Sequence, residues 1–287
     1  MSDVAMMGSE AETQSLRFDS SSGSLTRHDV LFCSERLDYI AEQIAAGQEV
    51  QGWRWDPRGI VSTYISEAVF ADPCVLCSVL YCGFEPGGGS IDMYVANRVI
   101  QPCHVQVQKR TLKRLAGEQG SLYDLRIDSS WNDVVRHIQN HQSDCWLSHE
   151  AAQYIWAARN CPEAENKHVA FHCVELWFND ALIAANIGYT VGDIYSGFTK
   201  FYSKEHSGAG IMLSSALGAW LHERGFKLYA MGQDAPYKSQ GVLKKGFLLS
   251  GLAWLKAVRA ARDLKEPPRL DPGTGLPIKI KGLLLDR

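Results

Sequence analysis

The stretch from His172 to Gln233 constrains the fold more than any other part of this chain. It consists of apolar runs separated by turn residues, at 173–178, 181–188, 194–202, 211–224 and 226–231. Asn179 and Asp180, between the first two runs, form a pair typical of a hairpin turn. A glycine loop precedes the fourth run, whose apolar spacing predicts an amphipathic helix that ends at Gly225. The stretch therefore predicts an antiparallel hairpin, a third strand, a helix and a further strand.

Composition divides the rest of the chain into segments with different expectations. Residues 1–24 have no apolar periodicity and are predicted to be disordered. A small N-terminal α/β domain is expected over 25–105, a larger domain over 106–262, and an irregular tail rich in Pro and Gly over 263–287. Further helices are predicted at 34–46, 109–116, 131–140, 149–159 and 251–262. The segment 85–89 is predicted to be a flexible loop.

Charge and cysteine usage exclude several classes of protein. The net charge is −3, but residues 224–287 carry 13 Lys/Arg against 5 Asp/Glu, which fits either a solvated face or contact with a polyanion. No apolar run approaches the roughly 18 residues of a membrane span. The eight cysteines follow no secretory signal, so we expect reduced thiols in the cytoplasm. Cys74 and Cys77 lack a second ligand pair, so no metal site is predicted.

The glycine loop, Glu205 to Gly210, offers a limited range of chemistry. Glycines at a helix start leave backbone N–H groups open to phosphate oxygens, as acetyl-CoA users require. The alternative is a tight helix start without a ligand, and Glu205 disfavours a polyphosphate. The sequence contains no Walker-type lysine motif and no G-x-S-x-G serine, so phosphoryl transfer and serine-nucleophile chemistry have no support.

Several blocks resemble one known family in order and residue type. In chain order they are Cys145-Trp146-Leu147-Ser148, His172-Cys173-Val174-Glu175-Leu176-Trp177, residues 179–192, residues 194–202 and residues 225–233. From about Ile65 to Gln233 the chain is thus similar to the leucyl/phenylalanyl-tRNA–protein transferases. Its element order also resembles the GNAT (acyl-CoA N-acyltransferase) fold, which implies an α+β protein. That fold has a mixed, mainly antiparallel sheet with flanking helices, whose strands splay at a cleft.

The family resemblance implies a transferase that moves leucine, phenylalanine or a similar apolar amino acid from tRNA to a protein N-terminal amine, a modification linked to protein degradation. It implies a substrate pocket, at Trp146, Tyr195, Phe198, Phe201 and Leu217. It implies a tRNA-binding cluster, at Lys109, Arg110, Lys113 and Arg114. Gln233 and Asp234 are the candidate catalytic residues. Aminoacyl-tRNA is then a co-substrate, no cofactor or metal is required, and a monomer is expected.

The chain departs from the family where polar groups are expected near the ester and the amine. The position of a family Glu holds Phe198, and that of a family Asp holds Ala230. A catalytically silent binder of tRNA or of a peptide N-terminus therefore stays open, and the glycine loop from Glu205 to Gly210 leaves a CoA-dependent N-acetyltransferase open as well. The candidate residues also have simpler explanations: strand packing for the aromatic ones, a core anchor for Trp146, a solvated helix face for the basic ones, and a turn at Gln233 and Asp234.

Overall fold

The computed structural model describes residues 24–25, 34–65, 70–87, 90–141, 145–162, 164, 167–271 and 276–285. Except for Ser24, the segment 1–24 predicted to be disordered lies outside them. Within the described ranges the protein is mixed α+β, with two mainly antiparallel sheets and flanking helices, which confirms the predicted class. None of the helices in these ranges is both long and apolar enough to cross a membrane.

The smaller sheet has five strands, ordered β1-β3-β5-β4, with β2 pairing β3. Their bounds are β1 Ser24–Leu25, β2 Arg54–Asp56, β3 Ile60–Ile65, β4 Glu85–Pro86 and β5 Ser90–Tyr94. Helices α1 (Ser34–Ala45) and α2 (Pro73–Tyr81) belong to the same part of the chain. Asp72 begins α2, since its side chain accepts from the amide of Cys74 at 2.9 Å. Residues 85 and 86, predicted to lie in a flexible loop, form the buried strand β4 instead.

The larger sheet has eight strands, in the order β12-β6-β11-β10-β9-β8-β7-β13. Their bounds are β6 Ala96–Ile100, β7 Tyr123–Ile127, β8 Val169–Phe178, β9 Ala181–Val191, β10 Ile194–Tyr202, β11 Leu228–Gln233, β12 Phe247–Ser250 and β13 Ile278–Lys279. Neighbouring strands are antiparallel except for β10 and β11, which are parallel. Parallel strands need a crossover connection, and a helix supplies it here.

Helices cover both faces of the larger sheet. They are α3 Lys109–Ala116, α4 Trp131–His141, α5 His149–Arg159, α6 Ala209–Glu223, α7 Gly251–Arg262 and α8 Ile280–Leu285. One apolar core combines α1, α2, α4, α5 and α7 with one face of the sheet. The other core combines α3, α6 and α8 with the opposite face. The alternation of strand side chains explains this division, since successive residues point to opposite faces.

Helix α6 joins β10 to β11 and is more deeply buried than its sequence suggests. The run 211–224 was predicted to be amphipathic, yet every residue from Met212 to Leu221 is buried. The prediction of an exposed face was wrong because α8 and the segment around Val105 cover the side that faces away from the sheet. At Gly218 a Cβ atom would lie only 2.5 Å from the Cβ of Val105.

The C-terminal segment also differs from its expectation. The prediction of an irregular tail after residue 262 was wrong for residues 278–285. There β13 pairs with β7, and α8 buries Ile280, Leu283 and Leu284. These apolar residues follow Pro and Gly in sequence, which hides their contribution to the core. Strand β6 lies in the larger sheet, although it precedes the domain boundary expected at residue 105.

Candidate active cleft

The two parallel strands separate after a short pairing. Strands β10 and β11 pair only from Ile194 opposite Leu228 to Ser196 opposite Ala230. Beyond these residues β10 continues to Tyr202 without pairing β11. Strand β11 also has an irregular register with β6 between Ala230 and Gln233. The sheet is therefore open at this point.

A β-bulge in β10 changes which side chains face the opening. Gly197 pairs Gly188 and Thr199 pairs Ile187, so Phe198 has no partner on β9. An unpaired residue shifts the alternation of the strand by one position. Gly188 makes the close approach possible, because a Cβ there would lie 2.3 Å from the carbonyl oxygen of Ser196.

Two cavities occupy the opening. The first, called here the inner cavity, has a volume of about 300 Å³. Its wall includes Trp146, Phe198, Tyr229, Ala230, Met231 and Lys238. The second, called the outer cavity, has a volume of about 720 Å³ and includes Gln108, Tyr202, Gly208 and Ile211. Both are lined by Lys200, Tyr237 and Leu243, so they form one cleft with a shared wall.

Lys238 is held in place at the inner cavity. It lies in the short 3-10 turn Pro236–Ser239, directly after β11. Its Nζ donates to the carbonyl oxygens of Met231 and Gln233, the latter at 2.6 Å. Burial lowers the pKa of Lys238 to about 8; the charge of Glu85 opposes this shift and that of Lys200 adds to it. At pH 7 the side chain is therefore mostly charged.

Glu85 lies behind the cleft as a buried carboxylate. Its Oε1 accepts from the hydroxyl of Ser196 at 2.7 Å and from that of Tyr189 at 3.5 Å. Burial raises the pKa of Glu85, and the hydrogen bond from Ser196 partly offsets this. Sequence reasoning missed this role, because Glu85 begins the segment Glu-Pro-Gly-Gly-Gly, which resembles a loop.

The structure brings two of the predicted pocket residues together and places three elsewhere. Trp146 and Phe198 meet edge to face on the wall of the inner cavity, with ring centroids 6.1 Å apart. Tyr195, on β10, and Leu217, on α6, are completely buried in the core between that helix and the sheet. Phe201 packs under α4, where its ring stacks on His137 at 4.8 Å. All five assignments as substrate contacts stay predictions.

The candidate catalytic residues lie at the end of β11 and form contacts outside the two cavities. The side-chain nitrogen Nε2 of Gln233 donates to the backbone carbonyl oxygen of Arg58 at 3.1 Å. Asp234 Oδ1 accepts from Nε of Arg98 at 2.8 Å and forms an ion pair with a terminal nitrogen of the same guanidinium, also at 2.8 Å. Neither residue lines the inner or the outer cavity. Their catalytic role stays a prediction.

The predicted basic cluster lies on α3, whose bounds agree with the sequence prediction. Thr111 and Leu115 face inward, whereas Lys109, Arg110 and Lys113 are exposed. The guanidinium of Arg114 donates to the carbonyl oxygen of Ser207 at 2.8 Å, which ties α3 to the glycine loop. Gln108, which begins α3, lines the outer cavity. The exposed cations therefore lie on the helix next to the mouth of the cleft.

The glycine loop forms the start of α6. Gly208 begins the helix with a φ of +82°, a conformation that glycine adopts without strain, and no side chain caps the helix. At Gly210 a Cβ would lie 3.1 Å from the ring of Tyr202, so the helix and β10 approach closely there. Both glycines line the outer cavity.

Sequence reasoning missed Lys200, Lys238, Tyr237 and Asn186 as cleft residues. Lys200 and Tyr237 lie close together across the shared wall, with Nζ 5.3 Å from the ring centroid. Burial lowers the pKa of Lys200. The sequence offered one signal, a lysine in the middle of the aromatic strand 194–202, where an apolar residue would otherwise be expected.

Comparisons with known proteins bear on this geometry. A search of curated proteins finds no match. Two solved structures are weakly similar: a functionally unknown conserved protein from Staphylococcus epidermidis ATCC 12228, and a C-terminal DUF2156 domain from Agrobacterium fabrum. The first is 14% identical with a TM-score of 0.35 and covers 62% of this chain, which spans only 64% of that protein. The second is 11% identical with a TM-score of 0.34. The match covers 74% of this chain and 83% of that domain.

The comparison with family models gives a direct result. The model of the leucyl/phenylalanyl-tRNA protein transferases matches residues 99–242, half of the chain. The matched range runs from β6 to the residues that line both cavities after β11. The chain belongs to the leucyl/phenylalanyl-tRNA protein transferase family.

Proposed function

We propose that this protein transfers leucine, phenylalanine or a similar apolar amino acid from its tRNA to the N-terminal amine of a protein or peptide. Membership of the family supports aminoacyl-tRNA-dependent transfer as the class of reaction. The observation that carries the proposal is the separation of β10 and β11 after Ser196 and Ala230, with a cavity between them that has an aromatic and apolar corner. A GNAT-like sheet, with a cleft where its parallel strands part, is the fold that this proposal implies.

The inner cavity receives the side chain of the transferred amino acid. Trp146 and Phe198 form an aromatic corner, and Tyr189 stacks behind Phe198 with ring centroids 4.8 Å apart. Met231 and Leu243 complete the apolar wall. Burial of an apolar side chain in such a site contributes about 1.5–3 kcal/mol. The site therefore selects an apolar amino acid by size and hydrophobicity.

The outer cavity and α3 receive the end of the tRNA. Lys109, Arg110 and Lys113 are exposed on α3 and suit phosphate contacts along an acceptor stem. The outer cavity, at about 720 Å³, is large enough for the 3′-terminal nucleoside that carries the aminoacyl ester. Because the two cavities share a wall at Lys200 and Tyr237, an ester at their junction reaches the inner cavity with its side chain.

The reaction itself needs little chemical assistance from the protein. The nitrogen of the acceptor amine forms a bond to the aminoacyl carbonyl carbon, and the bond from that carbon to the ribose oxygen breaks. The amine loses a proton and the ribose oxygen gains one, so an amide and a free 3′ end result. The ester is already activated, and holding amine and ester together supplies much of the acceleration. Gln233 and Asp234, the predicted catalytic residues, lie outside both cavities, so the proposal assigns no proton transfer to them.

A transfer assay tests the proposal. Purified protein is incubated with leucyl- or phenylalanyl-tRNA labelled in the amino acid, together with peptides that differ in their first residue. We expect label in peptide, dependent on the charged tRNA and strongly reduced in a Trp146→Ala variant. Transfer to no peptide would overturn the proposal. Tight, salt-sensitive tRNA binding without transfer would then identify a silent binder, and a rise of the melting temperature with acetyl-CoA would favour an acetyltransferase.

A further inference from the structure

We propose that Cys74 and Cys161 form a reversible disulfide, which bonds helix α2, next to the smaller sheet, to the end of helix α5, next to the larger sheet. The oxidant that this pair of cysteines takes is a small disulfide of the glutathione class. The inference concerns a covalent modification of the chain, and it does not depend on which reaction the cleft catalyses.

The two sulfur atoms already lie in contact. Sγ of Cys74, in the first turn of α2, is 3.6 Å from Sγ of Cys161, two residues after the end of α5. Both residues are half-buried, and both sulfurs are thiols. A disulfide bond is about 2.05 Å long, so the sulfur atoms must approach by about 1.5 Å. Rotation about χ1 moves each sulfur atom, so this approach needs no rearrangement of the helices.

Other contacts hold the two helices at this separation. The ring of Phe70, before α2, meets the ring of Tyr154 on α5 edge to face, with centroids 6.0 Å apart. The thiol of Cys77 on α2 donates to the carbonyl oxygen of Ala158 on α5 at 3.9 Å. The backbone nitrogen of Cys161 donates to the same carbonyl oxygen at 3.2 Å. The approach of the two sulfur atoms therefore follows from the packing of α2 on α5.

Cys77 is the competing partner for Cys74, because the two form a C-x-x-C pair on α2. Cys77 is completely buried, and its thiol is directed to Ala158. Burial raises the pKa of Cys77 to about 12; Cys161 and Cys74 add to this increase, and the charge of Lys167 opposes it. A thiol with such a pKa stays protonated at neutral pH and reacts slowly in disulfide exchange. The half-buried Cys161 is therefore the favoured partner of Cys74.

The reaction with glutathione disulfide proceeds in two exchange steps. In the first step one cysteine sulfur, as a thiolate, bonds to a sulfur of glutathione disulfide, whose S–S bond breaks, and one glutathione leaves. In the second step the other cysteine sulfur bonds to the first, and the second glutathione leaves. The two thiol protons of the protein end on the two glutathione molecules. The protein thus loses two electrons and glutathione disulfide gains them, and an excess of reduced glutathione reverses both steps.

Both joined helices lead directly to the cleft. Helix α2 ends at Tyr81, four residues before Glu85, whose carboxylate accepts from Ser196 behind the opening. Helix α5 begins directly after Ser148, two residues beyond Trp146 on the wall of the inner cavity. A bond between the helices therefore restrains the buried carboxylate and the aromatic wall relative to each other. It also closes a loop whose ends are 87 positions apart, and such closure stabilises a fold by restricting the unfolded chain.

Mass spectrometry of the oxidised wild-type protein tests the inference. The full-length chain is equilibrated with glutathione disulfide, the remaining thiols are alkylated, and the proteolytic peptides are identified. We expect a linked pair that joins Cys74 to Cys161 and that is lost after treatment with dithiothreitol. Glutathione retained on either cysteine, a bond between Cys74 and Cys77, or no reaction under conditions that modify the exposed Cys103 would each overturn the inference.

Variants show whether the bond restrains the helices. Oxidation should raise the melting temperature of the wild-type protein by about 5 °C or more. It should also slow amide hydrogen exchange across α5. Cys161→Ser should abolish both effects, and Cys103→Ser, the matched control at an exposed cysteine, should retain them. An unchanged melting temperature of the oxidised wild-type protein, or an equal increase in Cys161→Ser, would show that no disulfide joins α2 to α5 as proposed.

Discussion

The hydroxyl of Ser196 donates to Oε1 of Glu85 across 2.7 Å, and this contact joins the two sheets of the protein behind the cleft. Ser196 is the last residue of β10 that pairs with β11, whereas Glu85 lies on β4 of the smaller sheet. Both side chains are buried, at 0% and 6% exposure. The separation of the parallel strands thus begins where a buried carboxylate from another sheet is bound.

Replacing Glu85 by glutamine should make stability less dependent on pH. Folding raises the pKa of Glu85 above its usual 4.5. The contribution of Glu85 to the free energy of unfolding is therefore complete below about pH 4.5 and is lost as the pH rises through the pKa in the folded state. Each unit of this increase costs about 1.4 kcal/mol at higher pH. We therefore expect the free energy of unfolding of Glu85→Gln, relative to wild type, to increase from pH 4.5 to 7. Chemical denaturation at a series of pH values measures it, and a constant difference would contradict the expectation.

Several helices and strands could be predicted from the sequence, because capping residues and apolar spacing within each segment determine them. The Ser148 hydroxyl accepts from the amide of Ala151 at 3.1 Å and begins α5, as a capping serine before a periodic run predicts. Helix α3 agrees with the prediction at both ends, and β10 spans the predicted residues 194–202. The mixed, mainly antiparallel architecture followed from the order of these elements.

The composition of the cleft could not be predicted, because it depends on contacts between distant segments. Glu85 and Ser196 are 111 positions apart, and no periodicity connects them. The bulge at Phe198 shifts the alternation of side chains along β10. Lys200 therefore lies on the face of the sheet opposite to the one that a regular strand predicts. Helix α6 is covered by α8, whose apolar residues come after a stretch rich in Pro and Gly.

Truncation of Trp146 should weaken binding of the aminoacyl donor. Its indole meets Phe198 at the wall of the inner cavity, and burial of an apolar side chain in such a site contributes about 1.5–3 kcal/mol. Trp146→Ala should therefore raise KM for leucyl-tRNA about tenfold or more with a smaller effect on kcat. The matched control is Trp55→Ala, an aromatic residue 42% exposed on β2. Equal kinetic effects of the two substitutions would argue against a donor site at Trp146.

Removal of two charges from α3 should weaken tRNA binding and its dependence on salt. Each phosphate contact contributes about 0.9 to the slope of log K against log salt on a duplex. Lys109→Gln combined with Lys113→Gln should lower the slope by up to about two such contacts. Arg114 is left unchanged, because it holds the carbonyl oxygen of Ser207. Lys256→Gln with Lys265→Gln removes the same charge elsewhere, and an equal decrease in slope there would exclude a specific role for α3.

Gly218→Ala should destabilise the protein although alanine favours helices. The substitution gains about 1 kcal/mol of helix propensity. The new Cβ would lie 2.5–2.7 Å from the three side-chain carbons of Val105, and such overpacking costs about 1–3 kcal/mol. We expect a net loss of up to about 2 kcal/mol in the free energy of unfolding. Adding Val105→Ala should relieve the clash, so additive effects of the two substitutions would show that α6 does not pack as described.

The effect of Asp234→Ala distinguishes two roles for the residue that follows β11. A general base contributes about 10²–10⁴-fold to the rate, so its removal should reduce kcat by that factor. In the structure the carboxylate binds Arg98, whose side chain is 12% exposed, and it is itself 43% exposed. The loss of such a pair costs roughly 1 kcal/mol in stability. Because Asp234 lies outside both cavities, we expect kcat at saturating substrates to decrease less than tenfold, and Asp234→Asn to behave alike. A decrease of 100-fold or more, with the melting temperature unchanged, would instead establish Asp234 as the group that takes the proton of the attacking amine.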